Sequence, residues 1–151
     1  MYSYNNHPIP YNGYYRPSNP SSFISDIQQA INAEYSAISC YDHLAKMAPN
    51  SKQITKILEI QNDEKRHLKD FTTIYVNLTG QKPTYTITET CPKNYRDGID
   101  FAFNDEQESV DFYLDMADRA PAANIQATFK RAAADEQNHA VWFLYFMYPK
   151  T

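Results

Sequence analysis

Four long stretches of the chain repeat apolar residues every three to four positions. Ile24, Ile27, Ile31, Ile38, Tyr41 and Ala45 form one stripe, and Ile57, Ile60, Leu68, Phe71 and Leu78 a second. Ile99, Phe103, Val110, Tyr113 and Met116 form a third, and Ile125, Phe129, Ala132, Phe143 and Met147 a fourth. That period puts the apolar side chains on one face of a helix. Glycine and proline, which helix interiors exclude, fall between the stretches rather than within them. The pattern predicts helices over 22–48, 51–78, 98–119 and 122–147. Asn50-Ser51-Lys52-Gln53 reads as a capping box opening the second helix, and Ser25 with Gln28 as another near the start of the first. Asp97 can cap the third, and Pro121 suits the first turn of the fourth.

The joints set the topology. Helices one and two meet at a short turn around Pro49, and three and four at Pro121, so each pair is an antiparallel hairpin. Thr79 to Asp97 is long enough to run the length of a bundle, with Thr84–Thr88 as a candidate extended piece. Two hairpins and one long crossover predict an all-α, ferritin-like four-helix bundle over 22–148. Residues 1–21 hold five tyrosines, four prolines and four asparagines without an apolar period. They are expected to be a flexible tail.

Composition narrows the function. With 42% hydrophobic and 21% charged residues in 151, the chain can bury a core. A net charge of −4 offers no basic stripe for nucleic acid or anionic lipid, and no apolar run approaches a bilayer span. No basic segment followed by an apolar one opens the chain, so a cytoplasmic location is expected, with a spore-associated one as the alternative. Only Cys40 and Cys91 are present. One disulfide is compatible with that count, but two free thiols in a reducing compartment is the simpler reading.

A shift of 72 positions aligns the two hairpins without a gap. Glu34 falls on Glu106, Tyr41 on Tyr113, Ala48-Pro49 on Ala120-Pro121, Asp63-Glu64 on Asp135-Glu136, His67 on His139 and Phe71 on Phe143. The repeat also separates Glu106 from Glu108, since only Glu106 matches Glu34.

The matched polar residues lie in the apolar stripes. Glu34, Glu64, Glu106 and Glu136 would face one another in the core with His67 and His139. Four unpaired buried carboxylates are prohibitively costly, and their mutual repulsion adds to the cost. Neither Arg66 nor Lys130 is placed to neutralise all four. Two divalent cations would cancel the charge, and imidazole plus carboxylate ligation suits iron, manganese or zinc better than calcium. Glu and His at i and i+3 share a helix face and can grip one ion. Two Glu-x-x-His pairs, each with its Glu thirty residues after a core Glu of its own hairpin, match the di-iron or di-manganese carboxylate arrangement.

On these motifs the chain resembles the ferritin-like superfamily, in particular its rubrerythrin-like and bacterioferritin-like members. The resemblance implies Glu64 and Glu136 as bridging ligands, Glu34 and Glu106 as terminal carboxylates, and His67 and His139 as nitrogen ligands. It implies that Asp63 orients His139 and Asp135 orients His67. It also implies that Tyr41 and Tyr113 hydrogen-bond ligand carboxylates and join Glu64 and Glu136 in the catalytic set. Two departures stand out. Ser109 occupies the place where rubrerythrins carry a further Glu, which leaves a symmetric ligand set, and the four-cysteine rubredoxin module is missing.

The expected activity is that of a di-iron, di-manganese or mixed manganese–iron oxidoreductase. It would oxidise ferrous iron with dioxygen or hydrogen peroxide, as a ferroxidase or a peroxide scavenger under oxidative stress. Its cofactors would be two iron ions, with a separate electron donor where one is needed, and a homodimer is compatible with the sequence. The alternative is a structural, spore-coat-type assembly protein that uses the bundle as scaffold and the Tyr-rich tail as anchor. Trp142, Phe143, Tyr145 and Phe146 are assigned to packing or a subunit contact, and His43 to the surface.

Overall fold

The computed structural model describes residues 20–148. It contains four helices: α1, Pro20–Met47; α2, Ser51–Thr79; α3, Tyr95–Arg119; and α4, Ala123–Met147. No strand occurs among the described residues. α1 packs on α2 and α3 on α4, and the two hairpins face each other through α1 with α3 and α2 with α4. The expected tail lies outside the described residues, apart from Pro20 and Ser21, which are already helical.

Local chemistry accounts for the helix ends, including those the sequence misplaces. Asn50 caps α2 by accepting the backbone N–H of Gln53 at 3.0 Å, and Gly80, at φ 69°, closes it in the left-handed region that glycine adopts freely. α3 begins three residues before the expected position. Asn94, not Asp97, is its cap, accepting from the Asp97 N–H at 3.0 Å. Asp97 instead places its charge in the first turn, where the helix dipole favours it. Gly98 is therefore a helix residue and not a breaker. A Cβ there would stand 2.2 Å from Leu44 Cδ2, so glycine lets α3 approach α1 closely. Ser25 is interior to α1 and caps nothing. Pro121 precedes α4, whose cap position is Ala122, without a side-chain bond.

The core is split in two. Phe23, Ile27, Ile31, Phe71, Met116 and Phe129 belong to one apolar cluster, in which Phe71 and Phe129 stack at 4.7 Å. Tyr41, Leu44, Ile57, Ile60, Ile99 and Phe143 belong to the other. Of the expected stripes, Leu78 is exposed because α2 runs on past the end of the core. Phe143 and Phe146 are buried, Trp142 is half-buried, and Tyr145 and His43 are exposed.

The crossover runs back along α1. The backbone N–H groups of Thr84, Thr86 and Thr88 donate to the side chains of Gln28, Asn32 and Ser36 at 2.9–3.1 Å. Farther on, Cys91 is disulfide-bonded to Cys40. This corrects the expectation of two free thiols. The crossover returns beside the far half of α1 and brings the two Cα atoms to 5.2 Å, within bridging range. Cys40 is otherwise the small core residue expected. No helix among the described residues is long and apolar enough to cross a membrane.

Candidate metal centre

Between the two apolar clusters lies a charged layer. α1 supplies Glu34, α2 Glu64 and His67, α3 Glu106, and α4 Glu136 and His139, none more than 3% exposed. Each helix carries its acid at mid-length because the stripe that buries its neighbours turns that position inward as well. One ligand-type atom from each of Glu34, Glu64, His67 and Glu136 lies within 4.8 Å of the others. The same holds for Glu64, Glu106, Glu136 and His139. Glu64 and Glu136 belong to both groups.

The imidazoles insert between the carboxylates. His67 Nδ1 is 3.0 Å from Glu64 Oε2, 3.0 Å from Glu136 Oε1 and 3.7 Å from Glu34 Oε1. His139 Nδ1 is 3.0 Å from Glu64 Oε1, 3.2 Å from Glu136 Oε2 and 3.5 Å from Glu106 Oε2. Their outer nitrogens reach across hairpins. His67 Nε2 is 3.1 Å from Asp135 Oδ2, and His139 Nε2 is 3.1 Å from Asp63 Oδ2. The phenols cross over too: Tyr41 donates to Glu106 Oε1 at 2.5 Å, and Tyr113 donates to Glu34 Oε1.

Titration follows from this burial. Loss of solvent pushes Glu34 well above the usual carboxylate range, and the charges of Glu64 and Glu136 push it further. Loss of solvent and then Glu136 do the same to Glu106. Burial alone would lower His67, but Glu136, Glu64 and Glu34 outweigh it and push it up to about 12. His139 is raised in the same way by Glu106, Glu136 and Glu64 against its burial. Burial and then the facing glutamate raise both phenols. Asp63 and Asp135 are held below their ordinary value. Burial opposes this, but His139 and Arg66 overcome it at Asp63, and Arg131 and His67 at Asp135.

A cation answers a specific defect in this layer. Glu64 Oε1 and Glu136 Oε1 are buried and complete no hydrogen bond: an imidazole Nδ1 stands 3.0 Å from each, but the one hydrogen that nitrogen can carry is directed to Glu64 Oε2 or Glu136 Oε2 instead. An unpaired buried carboxylate oxygen is among the costlier features a core can hold. Both atoms belong to the two acids shared by the ligand groups, and the donor set of carboxylate oxygens and imidazole nitrogens fits iron or manganese. The space beside these carboxylates is small. A cavity of about 10 Å³ is lined by Glu34, Tyr41, Glu64, Glu106, Ser109 and Glu136, among others. Ser109 thus borders the site with a short side chain.

Two features escape a reading of the sequence. Arg66 bonds Asp63 Oδ1 through Nη1 and Asp135 Oδ2 through Nη2, each at 2.7 Å. Its spacing of three from Asp63 was visible, but its reach to α4 was not. Asp105, next to Glu106, is pushed up to about 8 by burial and then by the carboxylates of Glu89 and Glu106. Glu89 lies on the crossover, whose path only the fold reveals.

Comparison with known proteins places this geometry among relatives. The pattern of the rubrerythrin family matches residues 27–146. A protein of Bacillus subtilis (strain 168), YhjR, which bears only the description uncharacterized, is 46% identical over 146 residues, or 97% of each chain. A structure of ferritin-like, diiron-carboxylate proteins from Bacillus anthracis superposes with a TM-score of 0.76 at 20% identity, covering 87% of this chain and 99% of that one. A hypothetical protein from Pyrococcus furiosus gives 0.73 at 19% identity, covering 83% of this chain and 87% of the other. At these identities the two structures speak for the fold.

Proposed function

The chain belongs to the rubrerythrin family, and from that premise we propose that it is a two-metal oxidoreductase that oxidises ferrous iron with dioxygen or hydrogen peroxide. The observation that carries this reading is the pair of four-ligand groups sharing Glu64 and Glu136. Glu34 and His67 complete one position, and Glu106 and His139 the other. Two bound iron ions would supply the electrons for reducing the oxidant, and manganese fits the same donors.

The protein's own part is to hold and orient. Each Asp faces the Nε2 of a histidine and would accept its N–H, so that with a cation bound Nδ1 would be the nitrogen left to ligate it. Each phenol donates to a terminal glutamate and so fixes the orientation of that carboxylate. The apolar clusters on both sides exclude water, so the charges act in a low-dielectric setting. The small cavity beside Ser109, about the room one water needs, adjoins the carboxylate layer.

The test is aerobic oxidation of ferrous iron by the purified full chain, compared with a Glu64→Ala, Glu136→Ala variant. The parent should take up two metal ions per chain and oxidise iron faster than buffer. The variant should lose both properties. Equal rates in parent and variant would remove the reading.

A further inference from the structure

We propose that Arg66 is a positioning residue for both halves of the centre, one guanidinium that sets the two metal-facing imidazoles together. This rests on the two-metal reading above. The Arg66 guanidinium bonds the two aspartates, and these in turn bond the two histidines.

The contacts form one continuous chain across the α2–α4 face. His139 Nε2 meets Asp63 Oδ2 at 3.1 Å, and Asp63 Oδ1 meets Arg66 Nη1 at 2.7 Å. Arg66 Nη2 meets Asp135 Oδ2 at 2.7 Å, and the same oxygen meets His67 Nε2 at 3.1 Å. A planar guanidinium has two divergent amino groups at a fixed separation, so it can hold two carboxylates in register. A lysine ammonium is a point charge and cannot. Loss of Arg66 therefore takes a charged partner from both aspartates at once, although the imidazoles they orient belong to different hairpins.

The internal repeat is broken at this position. Asp63 pairs with Asp135 and His67 with His139, but Arg66 falls on Asn138. One arginine serves where two would be symmetric. Arg131 adds a second cation, through Nε at 3.1 Å and Nη2 at 3.0 Å, but only to Asp135. Its counterpart in the repeat is Glu59. Arg131 therefore supports His67 alone, while Arg66 supports both histidines. Both side chains are substantially exposed, 44% and 72%, so neither is needed to fill the core.

The experiment compares Arg66→Gln, Arg66→Lys and Arg131→Gln in the full chain. Cobalt(II) is the probe, because its visible bands report the number and geometry of its ligands, and affinity is read by competition with a chelator. The parent should bind two cobalt equivalents. Arg66→Gln should weaken both by about tenfold or more, the range seen when outer partners of metal ligands are removed. Arg66→Lys should not restore both, and Arg131→Gln should weaken one equivalent at most. The melting temperature of metal-free Arg66→Gln should stay close to the parent's. A second readout needs no metal: in the metal-free protein both hydrogen-bonded imidazole Nε2–H proton resonances should broaden together in Arg66→Gln. Unchanged resonances and unchanged cobalt affinity would overturn the proposal, as would a loss of affinity explained by a lower metal-free melting temperature. A parent that binds no cobalt would instead refute the two-metal reading, leaving the imidazole resonances to judge Arg66.

Discussion

At the scale of single residues, the centre is built from acids that are stable only because each has an assigned partner. Tyr41 shows this clearly. It belongs to one hairpin, yet its hydroxyl donates to Glu106 of the other, inside a layer without solvent. Tyr41→Phe keeps the ring, which packs on Phe143 at 5.2 Å, and removes only the donor. A buried acceptor stripped of its partner costs about 1–3 kcal/mol. Urea unfolding of Tyr41→Phe should therefore show a loss of that order, with the slope unchanged and two metal ions still bound. A loss well under ~0.5 kcal/mol would mean that the phenol is an ordinary core tyrosine. The identity and spacing of the six inner residues were legible in the sequence because helical period and repeat both act along the chain. The crosswise pairing of Tyr41 with Glu106, rather than with an acid of its own hairpin, was not. It depends on how one hairpin docks on the other, and no spacing within a chain encodes that. Arg66 was obscure for the same reason, since half of its role lies on α4.

At the scale of elements, the crossover shows an extended segment held without a sheet. Gln28, Asn32 and Ser36 stand four residues apart on α1, a rise of about 6 Å per step. Thr84, Thr86 and Thr88 stand two residues apart, a step of about 6.6 Å in an extended chain. The two repeats nearly coincide, so three side chains of the helix receive three backbone N–H groups in succession. Gln28 also returns a bond from Nε2 to the Thr84 carbonyl at 2.8 Å. The sequence shows the β-branched run and the polar positions separately. Read locally, Gln28 looks like part of a cap, because a helix cap is the commoner local use of such a residue. Its true partner is 56 positions away. Asn32→Ala should leave the Thr86 N–H without its acceptor and raise its hydrogen-exchange rate severalfold or more. The stability cost should be small, about 1 kcal/mol, because the segment is exposed and water can replace the bond. Exchange at Thr86 equal to the parent's would show that the ladder is not what holds the crossover. The disulfide at Cys91 fixes the same segment farther along, which is why the loss of one rung should stay local.

At the scale of the whole molecule, the fold places its least stable charges at its centre, so stability and metal binding should respond to pH in opposite senses. Consider first the metal-free chain. Glu34 and Glu106 ordinarily ionise near 4.5, but in the folded protein they hold their protons to higher pH. His67 ordinarily loses its proton near 6.5 but in the folded protein keeps it to about 12. In both cases the folded state binds more protons than the unfolded one above pH ~5. Stability then falls as pH rises through that window, by about 1.4 kcal/mol per pH unit for each extra proton held. Cations reverse the sign, because they bind ionised glutamate and neutral imidazole and displace those same protons, so their affinity grows with pH. Chelator-treated protein should thus melt at a lower temperature at pH 8 than at pH 5.5. Manganese(II), a probe that avoids ferrous oxidation, should raise the melting temperature more at pH 8 than at pH 5.5. Thermal unfolding at both pH values, with and without the ion, gives all four numbers from one preparation. Glu34→Gln with Glu106→Gln should flatten the metal-free pH dependence while reducing the gain from manganese. A metal-free protein whose stability rose between pH 5.5 and 8 would show that these carboxylates are already ionised and neutralised by the chain itself, and a cation would then have no electrostatic reason to enter.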